Sequence, residues 1–166
     1  LPLLRALLTN AGSTCTQREA AHALAASHDR SAFELIANLL PGDTSWMPAD
    51  AAGALETLGD PRAVPLLLRV LRAKSPELKS IASDVDAARA RAALALGAFD
   101  SKEVRDSLSV AAHDPALEVT LAANLSLSRL SGRVEYLKAL DEADATPEGW
   151  LEIDRLKTRL SRLKSE

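Results

Sequence analysis

Aromatic side chains are nearly missing from this chain: two Trp, two Phe and one Tyr make up 3% of its 166 residues. Sheets favour aromatic and β-branched residues, so this scarcity, beside an abundance of Ala and Leu, argues for close-packed helices. A single cysteine, Cys15, forbids an intramolecular disulfide and implies no oxidising compartment. No apolar run approaches the roughly 20 residues needed to span a bilayer. The oily start LPLLRALL is short, lacks a basic leader and has no cleavage-like site after it. Positive charge is not in excess either. Lys and Arg number 20 against 23 Asp and Glu, a net charge of −3, which gives no overall pull toward nucleic acid or membrane. What remains is a chain with 47% apolar content, enough for one domain with a sizeable core.

The stretch from Asp50 to Arg72, DAAGALETLGDPRAVPLLLRVLR, shows how that content is arranged. Ala51, Ala52, Leu55 and Leu58 recur about one helical turn apart and make an apolar stripe. Gly59 supplies a left-handed stop, Asp60 caps the next helix, and Pro61 sits where its missing N–H costs nothing. Val64, Leu67, Leu68 and Leu71 then follow with the spacing of a second helix's core face. Each helix has one oily face, and the pair has too little mass to bury either alone. Such a unit stacks on copies of itself.

The copies are present. Phe33, Val64, Val104 and Val134, each the first apolar residue after a turn, are spaced 31, 40 and 30 residues apart. Leu24, Leu55 and Leu125 lie nine residues before their anchors, and Asp29, Asp60 and Asp100 four residues before theirs. The longer step places an insertion of about ten residues at Ala73 to Asp84. A two-helix repeat of about 30 residues is an α-solenoid.

Leu3 to Thr9 reads as the second half of a unit whose first half lies upstream, or as an N-terminal cap. Thr16 or a neighbour opens the next helix, Asp29 opens one that runs to Leu40, and Asp100 caps the helix carrying Val104, Leu108 and Ala111. Asp114-Pro115 starts a helix to about Leu130, and Ser131-Gly132 ends it. Thr146-Pro147-Glu148 opens a terminal helix with Trp150, Ile153, Leu156, Leu160 and Leu163 on one side. The units fall at roughly 16–42, 48–73, 83–113 and 115–143, with a capping helix at 147–164, all in one domain spanning 1–166.

The segments AAGALETLGDPRAVPLLLRVL, ARAALALGAFDSKEV and EAAHALAASHDRSAFELIANLL resemble the short HEAT-like repeats of the phycobilisome-lyase type. The resemblance covers about Gln17 to Ala143. It implies an all-α, right-handed α-solenoid superhelix of about four helix-pair HEAT-like repeats with flanking helices. It also implies two kinds of function, since fold alone does not fix one. The first is a non-catalytic protein-binding scaffold. The alternative is a bilin-lyase-like or other HEAT-repeat enzyme, or its accessory subunit. The di-iron branch of the family, deoxyhypusine hydroxylase, carries His-Glu pairs at the start of the first helix. Here the matching place reads Arg18-Glu19, and the three histidines, His22, His28 and His113, lack matching carboxylates. No cofactor, metal site or catalytic residue is expected, and no base is nominated for Cys15.

The candidate site lies on the second helix of each unit, where residues off the apolar stripe form a ladder. One residue beyond the anchors come Glu34, Pro65, Arg105 and Glu135; five beyond come Asn38, Arg69, Ser109 and Ala139. Arg62, Arg69, Arg72 and Arg105 thus make a basic strip in mid-array, flanked by Glu34 and Glu135. The same residues also fit a solvated charged face. Read as a site, the strip grips an acidic surface on a partner protein or peptide, because arginine's fork pairs carboxylates and its stem packs. Trp46, in the loop GDTSWMPAD, either plugs a groove between units or stands out as a binding anchor. Partners are expected to be proteins, not nucleic acid or membrane, and the expected location is cytoplasmic.

Overall fold

The computed structural model describes residues 1–10, 13–40, 47–73 and 82–132. Among them every element is helical: α1 (Pro2–Asn10), α2 (Thr14–Ala26), a 3-10 turn (Arg30–Ala32) leading into α3 (Phe33–Ala37), α4 (Met47–Leu58), α5 (Ala63–Arg72), α6 (Ala82–Leu96), α7 (Lys102–Ala111) and α8 (Leu117–Ser131). The fold is an all-α solenoid. The second helix of the last unit, around Val134, Leu137 and Leu140, and the terminal helix at 147–164 lie outside the described residues.

The helices form two layers. In one, α2, α4, α6 and α8 lie side by side; in the other, α5 lies beside α7 and α1 touches α3. Residue size explains the difference in packing between them. The first layer buries Ala20, Ala21, Ala51, Ala52, Ala88, Ala92, Ala93, Ala122 and Ala123, and such small side chains let neighbouring helices pack closely. The second layer presents Phe33, Ile36, Leu67, Leu68, Leu71, Val104 and Leu108, buried between the layers, and its own members touch one another far less. The helix–turn–helix pair is the unit of sequence, but α5 packs more extensively on α6, the first helix of the next unit, than on α4. The oily face of one unit is therefore closed by its successor, as the repeat argument requires.

Several local expectations need correcting. The stripe on α5 is wider than predicted: Ala63 and Val70 are buried with Leu67, Leu68 and Leu71, while Val64 is only half-buried. Contacts with α6 and α7 as well as α4 widen the arc that a single-stripe reading allows. Of Thr16 and its neighbours, it is Ser13 that takes the cap position of α2, without a side-chain bond, and the helix begins at Thr14. The helix expected from Asp29 to Leu40 is a 3-10 turn and a short α-helix, and Leu39 and Leu40 already donate to carbonyls three residues back. Pro41 follows, and the residue before a proline is disfavoured in the α-region. Asp100 does not cap α7. Ser101 does, its hydroxyl accepting the Val104 N–H at 3.2 Å, and Asp100 is left to pair with Arg105.

The turn between α4 and α5 follows the prediction at Gly59, but Asp60 does not cap α5: the helix begins at Ala63, Arg62 takes its cap position without a side-chain bond, and Asp60 closes the turn before it. Gly59 has φ +66°, the left-handed conformation that only glycine adopts without cost, and Asp60 Oδ1 accepts the Arg62 N–H at 3.0 Å. In the preceding unit the same position is His28, at φ 51°, followed by Asp29, which accepts the Ser31 N–H at 3.1 Å. A histidine there carries the strain that glycine avoids.

Candidate protein-docking face

Most aspartates at these turns hold an arginine, and most of those arginines reach into another unit. Asp29 takes the guanidinium of Arg5 from α1, and the Ser31 hydroxyl first and Arg5 second hold its carboxyl down to about 2. Asp60 is buried, and Arg62 donates to it from Nε at 3.1 Å and Nη2 at 2.8 Å, which lowers its pKa. The same Arg62 lies over the Phe33 ring at 4.2 Å and donates to the Arg30 carbonyl at 3.2 Å. It also pairs with Glu34 at 3.6 Å, so it bridges two units.

Arg89 of α6 is the most buried of these links. It donates to the Leu71 carbonyl at the end of α5 (3.1 Å), to Asp86 (2.9 Å), and through both Nη atoms to Asp114 in the α7–α8 turn. Its side chain is 16% exposed and that of Asp114 12%. Burial works against the arginine's charge, but the bonds it donates to Asp114 and Asp86 outweigh it and the pKa is raised.

Within this frame the predicted strip divides. Arg62 at the cap position of α5, and Arg69 and Arg72 within it, are seven and three residues apart, so they share a side of the helix. Arg69 is exposed and makes no hydrogen bond or ion pair among the described residues. Arg72 crosses to α7, donating to the Ser107 hydroxyl at 2.8 Å and lying 3.9 Å from Glu103. Arg105 is not brought to them. It is two positions from both Glu103 and Ser107, about 200° around the helix, and it faces α8, donating to the Leu130 carbonyl at 3.1 Å and to Asp100 at 2.7 Å. Glu34 stands beside Arg62 at the far end of the strip. Trp46 and Glu135 lie outside the described residues.

Between α5 and α7 runs an open groove of about 410 Å³. Leu71, Val110 and Ala111 make its apolar wall, Arg72, Asp106 and Ser107 its polar one, and the Arg89–Asp114 pair closes it below. Val110 is 77% exposed, the largest exposure among the big apolar side chains described. The groove was not anticipated from the sequence, yet Val110 carried a signal. It is a branched apolar residue off the stripe set by Val104, Leu108 and Ala111, with no core role to explain it. Asp106 is held by Lys102 at one end of the groove, which raises the lysine's pKa.

Among the described residues no three metal-ligating side chains gather, and no helix is long and apolar enough to cross a membrane. None of the curated proteins compared with the chain matches it. A family model does: HEAT repeats, over residues 1–85. Repeats of that family commonly serve as scaffolds for protein interactions. Two layers of paired helices, a period of about 30 residues and a family match over more than half of its length together place this chain in the HEAT-repeat family.

Proposed function

We propose that the chain is a non-catalytic scaffold that docks a partner protein or peptide on the face made by its second helices, centred on the α5–α7 groove. The groove itself carries this reading. It pairs an apolar trough with an exposed Val110 and places arginine on one rim, the composition of a surface that gains by being covered. Docking is largely rigid. An apolar side chain of the partner enters against Leu71, Val110 and Ala111, and carboxylates on an acidic surface pair with Arg69 and Arg72.

Arg62 and Arg105, engaged by Asp60, Glu34 and Asp100, hold the units together, Glu34 stands beside Arg62, and Glu135 remains a candidate by sequence. Trp46, just before α4 in the sequence, is the chain's aromatic candidate for an anchor in this docking. Within the HEAT family we assign the units to the phycobilisome-lyase type, on the Ala-rich first helix, the Gly59-Asp60-Pro61 turn and the short Leu-rich second helix.

An affinity capture from the source lysate, read by mass spectrometry, tests the reading when run beside the double variant Arg69→Glu, Val110→Asp. Neither residue has a structural partner among the described residues, so the variant keeps its fold. A protein enriched by the native chain, lost by the variant and binding again as a purified pair supports the docking face. Equal recovery by both sinks it.

A further inference from the structure

The Ala-rich layer carries a charge cluster that neither the repeat packing nor the α5–α7 groove uses. Glu56 of α4 sits between Arg91 of α6 and Arg129 of α8. One carboxylate oxygen is 3.7 Å from Arg91 Nη2 and the other 3.3 Å from Arg129 Nη1. The Glu56 side chain is 11% exposed, while the two guanidiniums reach the surface. One carboxylate between two guanidiniums leaves a local charge of +1. The Arg91 contact is an ion pair too long to be a hydrogen bond, and Arg91 makes no hydrogen bond among the described residues. A guanidinium has five N–H donors in a fixed fork, so most of this capacity stands unused.

Gly53, one turn before Glu56 on α4, leaves the space that the Arg91 guanidinium occupies. A Cβ at that position would lie 2.5 Å from Arg91 Nη2 and 2.8 Å from its Nε. Glycine inside a helix costs about 1 kcal/mol relative to alanine. The helix therefore carries a weakening residue at the one spot where the Arg91 guanidinium lies against its backbone.

We infer that Arg91 and Arg129 form an oxyanion fork on the Ala-rich layer that takes a side-chain carboxylate from an acidic segment of a partner protein. Glu56 holds together the two guanidiniums from the neighbouring helices α6 and α8, and their remaining donors meet the incoming oxygens. The charge of +1 matches a single carboxylate better than a phosphate dianion, and the chain's net −3 disfavours a polyanion such as nucleic acid. This contact is separate from the α5–α7 groove, since it draws on α4, α6 and α8 and on none of the groove's residues.

The test follows the arginine Nε–Hε resonances of the full chain while a capped glutamate-rich peptide is added, with inorganic phosphate as a parallel titrant. Arg91 and Arg129 should move saturably with the peptide and keep doing so in Arg69→Glu. Arg129→Lys, which keeps a positive charge beside Glu56 but removes the fork, should weaken binding by about tenfold or more while the helical signal of the fold is retained. Absence of saturable movement at Arg91 and Arg129 would overturn the fork. So would loss of the response in Arg69→Glu, which would move the contact to the other layer. Phosphate shifting both arginines at lower concentration than the peptide would overturn the carboxylate assignment.

Discussion

Two sets of side chains, the inter-unit links and the exposed residues of the second-helix layer, use the same residue types for different ends. Arg5, Arg62, Arg89 and Arg105 each reach from one unit to a turn or carbonyl of another, and each finds a carboxylate on the way. Arg69 and Val110 stand on the same second-helix layer, and Arg69 has neither bond nor ion pair among the described residues, while Val110 is mostly in solvent. An arginine count alone would rank these positions together. Surroundings separate them: a charge buried with its carboxylate contributes to stability, and one whose donors reach solvent is available to a partner.

This contrast breaks most sharply at Arg89. Removing it strands Asp114, whose side chain is 12% exposed, and frees the Leu71 carbonyl. Arg89→Ala should cost about 3 kcal/mol in denaturant unfolding. The two turns provide the next step. Gly59→Ala forces a left-handed φ of +66° on a residue with a Cβ and should lose about 1–2 kcal/mol. His28→Gly relieves the same strain at φ 51° and should gain up to about 1 kcal/mol, so the melting temperatures of the two variants move in opposite directions.

Asp29 supplies a pH signature. Its folded pKa is depressed to about 2 from 3.8, so its stabilising share is present above pH 3.8 and is lost as pH falls through 2. Asp29→Asn should flatten the stability profile in that window and leave the neutral region's slope unchanged. The smallest effect belongs to Arg69→Glu, which should change stability by less than about 0.5 kcal/mol, since it breaks no contact. A large loss there would mean that the strip is structural after all.

The architecture was legible in the sequence because it rests on local signals. Apolar spacing marks each helix, Gly59 and Gly132 mark left-handed ends, and the recurrence of Phe33, Val64 and Val104 exposes the repeat. Errors arose where two local options compete. Asp100 and Ser101 are both good caps, and only the pull of Arg105 on Asp100 decides between them. The candidate site was legible only in part. The alignment of Arg62, Arg69 and Arg72 follows from helix geometry within α5. Arg105 failed to join them because a ladder counted along the chain cannot see which way the next helix turns its side chains. Arg89 meeting Asp114, and Glu56 meeting Arg129 from 73 residues away, depend on how successive units stack, which no short pattern encodes.

The central claim is that partners dock over the α5–α7 groove. A photo-crosslinking residue placed at Val110, with a second chain carrying it at the exposed Thr9 of α1, tests that claim directly against the captured partner. The account predicts a covalent adduct from position 110 and none from position 9, with the adduct lost when Arg69→Glu is added. An adduct from position 9 with nothing from position 110 would contradict it.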